Sequence, residues 1–145
     1  MYSHLIEPPE APAIAVVAWD DLVIDALGHD PRSTYAEWFW LPVIGPSTLW
    51  LARRIAAGLD EHPDGFELPL AATARALGLG DRGGRNSPLW RSVNRLIGFE
   101  LARPFPSGQG LAVRRRFPPL CARQLARLTP ELARAHRAWG EAHAS

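Results

Sequence analysis

The residues best suited to directional chemistry lie between positions 82 and 116. Arg91, Asn94 and Arg95 are spaced i, i+3, i+4, so a helix carrying them presents all three on one face. A guanidinium can donate two hydrogen bonds to a guanine edge, and a carboxamide can pair in the same way with adenine. Trp90 stands beside them, outward on the same count. Ser87-Pro88 is a strong helix start, an N-cap serine followed by proline at the first helical position. Ser87 and the unbonded amides of that first turn suit a phosphate, as do Arg82, Arg85 and Asn86 in the glycine-rich loop before it. Further on, a strand with Leu111 and Val113 inward turns Arg114 and Arg116 together to the other face, and puts Arg115 on the core side or at its edge. Arginines on a hairpin can follow a phosphate backbone or enter a minor groove.

The charge distribution points the same way. Residues 1–74 hold three arginines against eleven acids, a net −8, and residues 75–145 hold thirteen against four, a net +9. The overall +1 therefore conceals a strongly basic half, the electrostatic footprint of a surface for a polyanion. The plainer alternative is that the two halves neutralise each other on folding. All 16 basic residues are arginine and none is lysine, which matches high-GC bacterial coding and weakens any single arginine as a signal. Taken alone, Arg91 and Arg95 read equally as solubilising charge, and Trp90 as a residue packed under a hairpin.

The elements that must position these residues follow from periodicity and punctuation. Residues 1–12 read as an extended arm. Residues 13–44 read as a helical, aromatic-rich annex. In it Trp19, Leu22, Val23, Ala26 and Leu27 share one helical face, and Tyr35, Trp38, Phe39, Trp40 and Leu41 form a short helix ended by Pro42. Residues 45–117 begin with a helix that turns Leu51, Ile55, Ala56 and Leu59 inward. A short edge strand near Phe66–Leu70, an Ala-rich helix to Leu77, the Ser87 helix to about Ile97 and a hairpin with strands at 101–105 and 111–117 come next. Residues 118–145 read as two helices, started by Pro118-Pro119 and Thr129-Pro130.

This order resembles the winged helix-turn-helix family of DNA-binding proteins. The resemblance is carried by Leu70-Ala71-Ala72-Thr73-Ala74-Arg75-Ala76-Leu77-Gly78-Leu79 as first motif helix and turn, and by Ser87 to Ile97 as recognition helix. Gly98-Phe99-Glu100-Leu101-Ala102-Arg103 then enters the wing. It covers about half the chain and is nearest to actinobacterial regulators or replication-associated winged helices. It implies a mainly helical protein with a small β wing and extra terminal helices, which binds double-stranded DNA and regulates transcription or replication. Ser87 follows Leu79 by eight positions, longer than the family's turn, and this bears on individual base-reading roles more than on the fold.

Other classes find little support. Gly28-His29-Asp30 has no second His/Asp cluster at ligand spacing, so no metal or other cofactor is expected. Cys121 is the lone cysteine, and Gly78 to Gly83 matches G-x-G-x-x-G but follows a helix instead of a strand. An enzyme is not expected. No apolar run approaches the roughly twenty residues of a membrane span, and the first twelve residues lack the basic region of a signal peptide, so a cytoplasmic protein is expected. The alternative function is a protein-interaction module that docks through Trp38, Phe39 and Trp40, or pairs with a second copy through Leu120, Leu125, Leu128, Leu132 and Trp139.

Overall fold

The run Ala13-Ile14-Ala15-Val16-Val17 is rich in β-branched residues, and it forms the strand on which the fold is built. The computed structural model of the protein describes residues 6–84 and 86–144, so Arg85 lies outside the described residues. Strand β1 (Ala13–Trp19) occupies the interior of a four-stranded sheet. On one side it pairs antiparallel with β2 (Phe66–Pro69). On the other it pairs parallel with β4 (Gly110–Arg114), which in turn pairs antiparallel with β3 (Ala102–Pro104). Val16 lies opposite both Phe66 and Leu111 and is fully buried. The result is a mixed α/β domain, with a larger sheet than the two-stranded wing expected.

This placement corrects the helix expected across Trp19–Leu27. Trp19 ends β1, and the helix that follows, α1 (Leu22–Leu27), buries none of its residues. Its apolar spacing is real, but Leu22, Val23 and Leu27 are 92%, 62% and 72% exposed. Ladder bonds to two neighbours and burial of Ile14 and Val16 hold the preceding residues in the sheet, so the helix starts late and outside the core. Asp21 caps it, its carboxylate accepting from the N–H groups of Val23 and Ile24.

Pro42 does not end the aromatic helix. A π-helical turn, Ala36–Trp40, runs directly into α2 (Leu41–Ile44), and Pro42 falls in the first turn of α2. Helix α3 (Pro46–Glu61) buries Leu51, Ile55, Ala56 and Leu59 as expected. Helices α4 (Leu70–Ala76) and α5 (Pro88–Gly98) follow, with α5 packed against α3, α4 and β3. One continuous core joins Val16, Phe39, Trp40, Ile55, Leu96, Leu111 and Leu120, so the annex, the 45–117 segment and the start of the C-terminal segment share it.

After the hairpin, Pro118 to Leu120 is not helical, and the expected first C-terminal helix is reduced to α6 (Ala122–Leu125). The backbone there bonds outward instead: Pro118 O accepts from Trp40 Nε1 at 2.8 Å and Leu120 N–H donates to the Tyr35 hydroxyl at 2.9 Å. Helix α7 (Pro130–Ala142) has no buried residue and is held by aromatic contacts. The Tyr35 hydroxyl accepts from Leu120 and shares a second hydrogen bond with His136 Nε2, 2.9 Å away. His29 stacks on Tyr35 at 3.8 Å, and Trp139 packs beside both rings.

Two predictions follow from this packing. Ile14→Ala should cost about 2–5 kcal/mol in urea unfolding, whereas Leu22→Ala should change stability by less than about 0.5 kcal/mol. Burial lowers the pKa of both His29 and His136, so the folded protein favours their neutral forms. Their contribution to stability is complete above the ordinary histidine pKa of about 6.5 and is lost as pH falls below it. The melting temperature should therefore fall between about pH 7 and pH 5, and by less in His136→Gln.

Candidate nucleic-acid interface

Helix α5 begins where Ser87-Pro88 predicts. The Ser87 hydroxyl accepts from the Trp90 N–H at 3.0 Å, which satisfies one amide of the first turn. Ser87 is itself buried, so its hydroxyl serves the helix and is not presented to a phosphate. With Leu89, Val93, Leu96 and Ile97 in the core, Arg91 and Arg95 emerge one turn apart on the exposed face. Neither makes an ion pair among the described residues, and α5 contains no acid. Arg82 and Asn86 are exposed on the preceding loop, while Arg75 is paired with Asp81 at 3.1 Å.

Two of the expected contacts on this helix are turned inward. Trp90 is 2% exposed, and its Nε1 donates to Ile6 O at 2.8 Å. The Asn94 carboxamide is half-buried: its Oδ1 accepts from Ile6 N–H at 3.0 Å and its Nδ2 donates to Ile6 O at 3.3 Å. The N-terminal arm, read from the sequence as extended, therefore has Ile6 bonded to α5. Nothing local to α5 signals this, because Ile6 and Asn94 are 88 positions apart.

The wing differs as well. Arg114 has the outward parity expected, but the parallel ladder sets Trp19 directly opposite it. Its guanidinium lies over the Trp19 ring at 3.7 Å, Nε donates to Glu100 O at 2.8 Å, and Nη1 pairs with Asp21 at 2.9 Å. Hydrogen bonds from the Ile24 N–H, then from Arg114, hold the Asp21 carboxyl below the usual carboxylate range. Arg114 is thus a structural cation. Strand β4 ends at Arg114, so alternation no longer governs Arg115 and Arg116. Both are exposed and line a cleft of about 380 Å³ with Asp20, Asp25, Asp30 and Arg32. Arg116 donates to Gly28 O at 3.2 Å.

Of the ion pairs between described residues, only Arg114–Asp21 joins the acidic half to the basic half. None of these pairs involves Arg91 or Arg95. In the aromatic segment Phe39 and Trp40 are core residues and Trp38 alone is exposed, at 52%. Exposed Arg103, whose guanidinium lies 4.4 Å over Trp19, was not marked by the sequence pattern. No cluster of three or more His, Cys, Asp or Glu side chains among the described residues is placed to hold a metal ion. No described helix is long and apolar enough to cross a membrane. Comparison with family models, curated protein sequences and solved structures finds no match for this chain.

Replacing Arg114 by Ala should therefore act on stability. A loss of about 1–3 kcal/mol is expected in urea unfolding, from the removed charge-assisted bonds. A variant as stable as the wild type would show that the Trp19–Arg114–Asp21 contact contributes nothing to the fold.

Proposed function

We propose that this protein binds double-stranded DNA through α5 and the loop before it, as a winged helix-turn-helix regulator of transcription or replication. The observation that carries the reading is the pair Arg91 and Arg95, exposed one turn apart on a helix without acids. Arg82 on the adjoining loop extends the same basic surface. The order α3–β2–α4–α5–β3–β4 supports the winged-helix assignment, with the second motif helix ahead of the hairpin. The chain departs from that pattern in one respect, since β1 lies between β2 and β4. In this reading Arg91 and Arg95 enter the major groove, and Arg82 and Asn86 hold phosphates.

A second reading, docking of a protein partner or of a second copy of the chain, is favoured by the exposure of Trp38 and of Leu22 and Leu27 on α1.

Fluorescence anisotropy with a random-sequence duplex at several salt concentrations tests the first reading. Log affinity should fall linearly with log salt, by about 0.9 per phosphate neutralised. Arg91→Ala should cost roughly 1–3 kcal/mol on a selected site, while Arg114→Ala, checked to be folded, should bind as the wild type does. Absence of binding at the lowest salt would sink the reading and leave protein docking.

A further inference from the structure

The contact between Asn94 and Ile6 has a chemical pattern of its own. Asn94 Oδ1 accepts from the Ile6 N–H at 3.0 Å, and Nδ2 donates to the Ile6 carbonyl at 3.3 Å. Both ends of the carboxamide are thereby engaged by one donor and one acceptor on a single residue. The major-groove edge of adenine offers an asparagine the same pair, the N6 amino group as donor and N7 as acceptor. Asn94 lies between Arg91 and Arg95 on α5, where such an edge would meet it.

We infer that Asn94 is an adenine-reading residue held masked by the N-terminal segment, with the Ile6 main chain standing in for the base edge. This rests on the DNA-binding reading and specifies both its base contact and its control. The mask includes three hydrogen bonds to Ile6, the third from Trp90 Nε1 at 2.8 Å, and the partly buried Ile6 side chain against the core. Pro12 O accepts from Leu70 N–H at 2.9 Å, and the β1 ladder begins at Ala13. Pro8 and Pro9 have no N–H to offer that ladder, so lifting Ile6 from α5 leaves the pairing of β1 intact. When it lifts, the carboxamide loses two partners and gains the same two from adenine, while Trp90 Nε1 exchanges the Ile6 carbonyl for water. Arg91 and Arg95 are unmasked in both states and supply the sequence-independent attraction.

The test uses the full chain with the mask weakened in two ways. Ile6→Pro removes the N–H that Asn94 Oδ1 accepts from, and Ile6→Gly removes the apolar anchor while keeping the main chain. Each is titrated against two random-sequence duplex pools, one with ordinary adenine and one with 7-deaza-adenine, which lacks the N7 acceptor. Both variants should bind the adenine pool roughly tenfold or more tighter than the wild type does. They should show little gain on the 7-deaza pool, and Asn94→Ala added to either should abolish the gain. Equal binding of wild type and variants to both pools, with a normal salt dependence, would overturn the mask and leave DNA binding standing. A gain of equal size on both pools would overturn adenine reading. Failure of every protein to bind either pool at low salt would remove the DNA reading, and the mask with it.

Discussion

The parallel pairing of β1 with β4 is the constraint on which the rest of this structure depends. A strand inside a sheet satisfies its backbone on both edges, and β1 does so with partners some fifty and one hundred residues further along the chain. Its register sets three other features. Val16 is fixed opposite Phe66 and Leu111 at the centre of the core. Trp19 is fixed opposite Arg114, so the aromatic face meets the guanidinium and Asp21, two residues on, completes the ion pair. The chain before Ala13 is led back over α5, which brings Ile6 to Trp90 and Asn94.

The same constraint sorts the arginines into two kinds. Arg114 is taken into the fold by cross-strand geometry, and Arg116 is drawn towards Gly28 O at the edge of a mixed-charge cleft. Arg91, Arg95 and Arg82 stay on the surface, and none of them forms an ion pair with another described residue. Net charge alone does not make this distinction. An arginine count of thirteen in the second half measures the potential for a polyanion surface, but the cations that can act are those the tertiary contacts leave exposed.

The periphery is held more lightly. Helices α1 and α7 bury no residue, and α7 is attached through the rings of Tyr35, His29, His136 and Trp139. Such a seam depends on neutral imidazoles, so its strength varies with pH in a way the aliphatic core does not. Local opening is expected to begin here and at the N-terminal segment, well before the sheet parts.

What the sequence determined by itself is what short-range physics encodes. The Ser87-Pro88 start, the inward stripe of α3, the edge strand at Phe66–Pro69 and the hairpin all depend on caps, periods and turns within a dozen residues, and the structure has them there. Arg91 and Arg95 on an exposed face were legible for the same reason. Only the tertiary structure decided the role of residues 13–19, where helical spacing from Trp19 onward competed with a β-branched run whose sheet partners are remote. It also decided the fate of Trp90, Asn94 and Arg114, each of correct outward parity and each met by a segment about 80 to 95 positions away. Periodicity tells which way a side chain points on its own element, but what waits there is a property of the folded chain.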